Sequence, residues 1–139
     1  MRTPWPDPNN HSRMTNPKSF ITEYLSALSG NAKTPALVQR YVSDERLARH
    51  IADIEAAFPN YELVPEDMLA EGDKVAVRGV FRGTHRGPFA GVQPTGKSVS
   101  AGLIIIYAVA AGRIADHWMQ FDLFTLMQQL QAPAESPVS

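Results

Sequence analysis

The densest run of chemically capable residues is Asp116-His117-Trp118-Met119-Gln120-Phe121-Asp122. On a strand, Trp118, Gln120 and Asp122 project to one side and His117, Met119 and Phe121 to the other. A carboxylate that shares a face with an indole and an amide suits a partly apolar pocket. Burial there raises a carboxyl's pKa towards the range useful for moving protons at neutral pH. Asp122 also stands immediately before Leu123-Phe124-Thr125, where a helix would take its N-cap. Capping and catalysis are both open at this position, and they are compatible. Asp122 is therefore the first catalytic candidate, with Trp118 and Gln120 as pocket-lining neighbours.

Three histidines offer further proton carriers. His85, in Gly83-Thr84-His85-Arg86-Gly87, sits where a strand ends and the chain turns, a place that functional residues favour. It is the second catalytic candidate; the competing reading is a ring that fixes the turn through backbone hydrogen bonds. His50 lies on the apolar stripe of a helix and either looks into a pocket or packs. His117 is on the face opposite Asp122, beside a tryptophan, which fits a packed structural residue. None of these pairs has metal-ligand spacing, so neither a metal nor an organic cofactor is expected. Gly-x-Ser-x-Gly, GxGxxG and Walker patterns are all missing. With no cysteine, thiol catalysis and zinc-thiolate sites are excluded.

The elements that must position these residues fall into two halves. Asn16-Pro17 and Thr34-Pro35 each read as an N-cap followed by proline at the first helical position. Phe20, Ile21, Tyr24, Leu25 and Leu28 then recur at helical spacing up to Gly30. A shorter helix carries Leu37, Val38 and Tyr41. Ser43 or Asp44 caps a third, with Leu47, His50, Ile51, Ile54 and Phe58 on one stripe and Pro59 closing it. From Tyr61 the period changes to two. Strands are expected near 61–69, 75–82, 99–109 and 113–122, with a long loop over 83–96 and a short terminal helix over 123–130. The run Val99 to Val109 is so apolar that it suits a strand covered on both faces. Helices followed by hairpin-linked strands give an α+β fold in which a strongly bent sheet would create a pocket on its concave face. Phe20, Tyr24, Ile105 and Tyr107 join His50 as expected lining residues.

A chain of 139 residues holds one domain, expected over 17–131. Residues 1–16, with three prolines and no periodicity, read as a disordered extension or leader, with Met14 open as an alternative start. The tail over 132–139 reads as flexible. A net charge of −1 supplies no field for nucleic acid or an anionic membrane. No apolar stretch approaches the roughly 20 residues of a membrane span, and no secretory signal is evident. A cytoplasmic location is the expectation.

Several fragments together resemble the SnoaL-like polyketide cyclase (ester cyclase) family. They are Ala57-Phe58-Pro59, Glu71-Gly72-Asp73-Lys74-Val75, Gly83-Thr84-His85-Arg86-Gly87, Pro94-Thr95-Gly96-Lys97, Gly112 to Trp118, Asp122 and Leu126-Met127-Gln128-Gln129-Leu130. They run in order over about residues 57–130. The resemblance implies an NTF2-like cone, a curved and mostly antiparallel sheet wrapped around N-terminal helices, commonly paired as a homodimer through the sheet. It also implies ring closure by intramolecular aldol condensation without metal or organic cofactor, with an aspartate matching Asp122 as general acid/base. This chain departs from the pattern at Leu103-Ile104-Ile105-Ile106-Tyr107, where relatives often place a polar residue near position 105. An aliphatic residue there makes a drier cavity.

Three functions follow as expectations. The first is cofactor-independent acid/base chemistry by Asp122 on a small apolar carbonyl compound, as cyclisation or isomerisation. The second is non-catalytic binding of a hydrophobic small molecule, suggested by the aliphatic run and the shortage of polar pairs. The third is an epoxide hydrolase, for which Arg78 with Asp122 is the sole hint.

Overall fold

Each start signal in the first half becomes a capped helix in the computed structural model, which describes residues 16–132. The expected extension over 1–16, Asn16 apart, and the tail beyond Ala132 lie outside the described residues. Helix α1 spans Pro17–Leu28, and Asn16 Oδ1 accepts the amides of Lys18 at 2.8 Å and Ser19 at 3.2 Å. Helix α2, Pro35–Tyr41, has Thr34 Oγ1 accepting the Leu37 amide at 3.2 Å. Helix α3, Glu45–Ala57, is capped by Asp44, whose Oδ1 takes the amides of Arg46 and Leu47 at 2.9 and 3.3 Å. A cap of this kind contributes about 1 kcal/mol by satisfying amides that have no partner within the helix.

Four strands follow: β1 Glu62–Glu71, β2 Lys74–Thr84, β3 Ser98–Ala110 and β4 Arg113–Phe121. They form one antiparallel sheet in the order β1-β2-β3-β4. Helix α4, Leu123–Gln131, packs back against β3. The hairpin between β3 and β4 turns on Ala111 and Gly112, both at positive φ (52° and 79°), the combination whose twist matches antiparallel strands. On β2, Gly79 is required by close approach: a Cβ there would lie 2.6 Å from the carbonyl oxygen of Val64, beside the bulge between Pro65 and Asp67. This is the expected α+β, NTF2-like cone.

The strands differ from expectation in one respect that decides where the site lies. Along β3 burial alternates strictly, with Val99, Ala101, Leu103, Ile105 and Tyr107 buried. Ile104 and Ile106 are 50% and 37% exposed, so β3 is covered on one face only, contrary to the two-sided burial its composition suggested. The concave face of the sheet, with Val75, Val77, Phe81, Leu103, Ile105 and Tyr107, meets helices α1 to α3 in a single core. The other face is open. No helix among the described residues is long and apolar enough to cross a membrane.

Candidate functional site

The concave face and helix α3 enclose a cavity of about 450 Å³. Helix α3 supplies one wall because Leu47, His50, Ile51 and Ile54 recur at helical spacing and all line it. The sheet supplies the other through Leu103 and Ile105 of β3 and Met119 and Phe121 of β4, which the register sets opposite one another as the pairs Leu103–Phe121 and Ile105–Met119. Every one of those four sheet positions is apolar. Polar atoms enter at two levels. Tyr24, Tyr61 and Tyr107, 2%, 5% and 1% exposed, lie at the buried level. His50 and Asp53, one helical turn apart on α3, line the cavity yet remain exposed, and so form its rim.

The electrostatics differ between the two levels. Burial pushes all three phenols well above the ordinary tyrosine range, which keeps them protonated as hydrogen-bond donors. Tyr24 and Tyr107 adjoin, their rings meeting edge-on at 5.6 Å. At the rim, burial lowers the pKa of His50, the neighbouring His117 lowers it further, and Asp53 opposes both. His50 is thus a neutral imidazole at physiological pH, able to accept a proton.

Of the residues picked out in the sequence, Tyr24, His50, Ile105 and Tyr107 line this cavity. Phe20 does not: it packs against Tyr41 in the core, ring centroids 5.7 Å apart. Trp118, Gln120 and Asp122 do share one face, but it is the outer one. Trp118 is 49% exposed and Gln120 is also exposed, so their expected lining role is corrected. The register explains the correction: Trp118 pairs with Ile106 and Gln120 with Ile104, both outward residues of β3. Asp122 is fully exposed and caps α4, its Oδ1 accepting the Thr125 amide at 3.1 Å and its Oδ2 the Thr125 hydroxyl at 2.7 Å. Those bonds, the hydroxyl's first, hold its carboxyl below the usual range, the reverse of the shift a proton-carrying carboxyl needs. It borders a shallow outer groove with Arg78 and Glu66 rather than the enclosed cavity. Arg78 is engaged by Glu66 and Asp67, each at 2.6 Å, which leaves the Arg78–Asp122 hint without contact.

His85, the second catalytic candidate, likewise stands apart from this cavity. It is wholly buried and packs tilted against Phe58, ring centroids 5.3 Å apart. Its Nδ1 accepts the Thr95 amide at 3.1 Å and lies 3.1 Å from the Thr95 hydroxyl. Its backbone binds Lys97 and Gly96. The ring organises the loop after β2, as its turn-fixing reading held.

One arrangement escaped the spacing argument. His117 points inward and donates from Nδ1 to the buried Asp44 Oδ2 at 2.7 Å. With Asp116 these residues bring three ligand-type atoms within 4.8 Å of one another. The atoms are already committed. Asp44 caps α3, and Asp116 accepts from Arg46 Nη2 and from the His117 amide, each at 2.8 Å. The cluster fastens the start of α3, and hence the cavity wall, to β4. The bonds from the amides of Ser43 and Asp44 to the Ile114 carbonyl, 2.9 and 3.1 Å, reinforce it.

Comparison with known proteins agrees with this architecture. The profile of the SnoaL-like polyketide cyclase family matches residues 20–130. No curated protein matches. Among solved structures, the chain is similar to AclR of Streptomyces galilaeus, assigned as a hydroxylase, with 25% identity, a TM-score of 0.70 and coverage of 88% of this chain and 85% of that one. It is similar to IdmH of Streptomyces antibioticus, assigned as a polyketide cyclase, at 25% identity and TM-score 0.68, covering 84% of this chain and 99% of that one. A SnoaL-like protein of Jannaschia sp. shares the fold at 22% identity and TM-score 0.69, covering 86% and 96% of the two chains. With the family profile matching residues 20–130, from within α1 to the last turn of α4, this chain belongs to the SnoaL-like polyketide cyclase family.

Proposed function

We propose that the cone encloses one small, mostly apolar carbonyl compound and catalyses cofactor-independent acid/base chemistry on it, a cyclisation or isomerisation, with His50 as the proton carrier. The observation that carries this reading is the composition of the cavity wall. It is apolar on both sides except for a neutral imidazole and the Asp53 carboxylate at its rim and phenols at its buried level. A carbonyl acidifies the neighbouring C–H. His50 takes that proton, the C–H electron pair enters the new carbon–carbon double bond, and the carbonyl oxygen carries the resulting charge. Return of the proton to another carbon isomerises the molecule. Attack of the enolate carbon on a second carbonyl closes a ring, and the alkoxide so formed takes the proton back from His50. One positioned base contributes roughly 10²–10⁴-fold.

A substrate-independent test is deuterium exchange. In D₂O the methyl protons of 2-acetylnaphthalene should exchange faster with the protein present. His50→Gln should abolish the acceleration, and Asp122→Asn should retain it. The rate should rise with pH as His50 loses its proton, with a midpoint below the ordinary histidine pKa of about 6.5, because desolvation depresses the group. Exchange that survives His50→Gln but is lost in Asp122→Asn would return the chemistry to the outer carboxylate.

Non-catalytic binding is the second reading. It is favoured by the sheet side of the lining, where Leu103, Ile105, Met119 and Phe121 sit and no acidic or basic side chain occurs. Saturable binding of 2-acetylnaphthalene without accelerated exchange would establish it. We also propose a homodimer through the outer sheet face. Leu69, Ala76, Ile106 and Trp118 form one cross-strand row there, with Leu69 73%, Ile106 37% and Trp118 49% exposed. A second copy would cover that row.

A further inference from the structure

Resting on the reading of the cavity as a ligand site, we propose that Tyr24, Tyr61 and Tyr107 form an oxygen-binding pole at its buried level, which selects uncharged ligands bearing a hydrogen-bond-accepting oxygen and sets that oxygen away from the rim. Three side chains from three different elements converge here: Tyr24 from α1, Tyr61 from the segment before β1, and Tyr107 from β3. Tyr24 and Tyr107 adjoin edge-on at 5.6 Å, and even with one phenol donating to the other, the acceptor would keep its own O–H to give. Tyr61 is 5% exposed, and its hydroxyl is shifted by burial and neighbouring charge rather than by a hydrogen bond from any described side chain. At least two donors are therefore available in a cavity whose remaining buried lining is apolar, and a ligand's oxygen that accepts from them gains hydrogen bonds that are stronger there than in water.

The same lining sets the ligand's charge. It contains neither lysine nor arginine, and its one formal charge is the carboxylate of Asp53. A carboxylate or phosphate entering the cavity would lose its hydration without gaining a counter-ion. A ketone, ester or quinone-type oxygen gains the phenols' hydrogen bonds at no such cost. Phe58, Phe81, Phe89 and Phe121 around the waist accept a flat ring system by edge and face contacts. With the oxygen held at the buried pole, the carbon skeleton points towards His50 at the rim. The phenols thus act as positioning and charge-stabilising donors for the proton transfer proposed above.

The experiment uses three probes of nearly one shape: 2-acetylnaphthalene, 2-ethylnaphthalene and 2-naphthoate. Affinities are measured by quenching of intrinsic fluorescence and corrected for each probe's octanol–water partition. Wild-type protein should prefer the ketone to the hydrocarbon by about tenfold, as one good buried hydrogen bond gives, and should show no saturable binding of the carboxylate. Tyr61→Phe should lower ketone affinity by about the same factor while hydrocarbon affinity stays within about twofold. Equal corrected affinities for ketone and hydrocarbon in the wild type, or a preference that persists when all three tyrosines are phenylalanine, would overturn the oxygen pole and leave the cavity reading intact. Failure of 2-ethylnaphthalene to bind would overturn both. The wild-type ranking of the three probes needs no variant, so the test does not depend on how the substituted proteins fold.

Discussion

The two faces of strand β4 are built from one seven-residue run and have opposite fates. On the inner face His117 is clamped to a buried carboxylate, while Met119 and Phe121 close a cavity. On the outer face Trp118 and Gln120 are exposed, and Asp122, just beyond the strand, caps a helix. The outer set looks more chemical in sequence, since it holds an indole, an amide and a carboxylate. The inner set is where the fold has an enclosed, largely apolar space, and it is there that the proposed ligand would sit. Residue type is thus a poor guide to the functional face when a sheet is covered on one side only; which neighbours a residue pairs with decides it.

Stability tests should separate the faces most sharply at adjacent residues. Ile105→Ala removes part of the cavity wall at a position 2% exposed and should cost about 2–5 kcal/mol in urea unfolding. Ile104→Ala, at a position 50% exposed, should cost less than about 1 kcal/mol. Equal costs would mean that the outer face is packed as tightly as the inner one.

A smaller effect is expected where the inner face is tied to α3. Burial alone would raise the Asp44 carboxyl, but hydrogen bonds from His117 and from the Leu47 and Arg46 amides, with the charge of His117, together hold it below the ordinary value. A depressed carboxylate contributes stability that is present above its unfolded pKa, about 3.9, and is lost as pH falls through the folded value. Asp44→Ala should cost about 1–2 kcal/mol near neutrality through loss of the cap. It should also flatten the decline of stability below pH 4. An acid profile unchanged by the substitution would show that another carboxylate governs it.

The smallest effect on folding should come from the outer face itself. Trp118→Asp should leave the unfolding midpoint of the isolated chain nearly unchanged while converting a dimer to a monomer in sedimentation velocity. A wild-type chain that sediments as a monomer at all concentrations would remove the proposed partner.

Much of this fold is legible in sequence because its signals are local. Asn16-Pro17, Thr34-Pro35 and Asp44 mark three helix starts within a few residues, and the Ala111-Gly112 turn fixes the last hairpin. Alternation along β4 also divides its residues correctly into two sets. What alternation does not carry is which set faces inward, because a period of two is the same from either side. The pairing of Met119 with Ile105 and of Trp118 with Ile106 decides that, and it depends on strand register. A usable signal was present: Met119 and Phe121 are the more apolar pair, and apolar residues fill a concave face. The Asp44–His117 contact spans 73 residues between a cap and a strand, so no local spacing reveals it. The two readings of His85 stay open in sequence for a related reason, since its partner Thr95 lies across the loop that it organises.

The account rests on ligand entering behind the inner face. The most direct measurement is the pattern of intermolecular nuclear Overhauser effects between 2-ethylnaphthalene and methyl-labelled protein. Contacts to the methyls of Met119 and Ile105, with none to Ile104 or Ile106, are the predicted result. Contacts confined to Ile104 and Ile106 would place the ligand on the outer face and contradict the account.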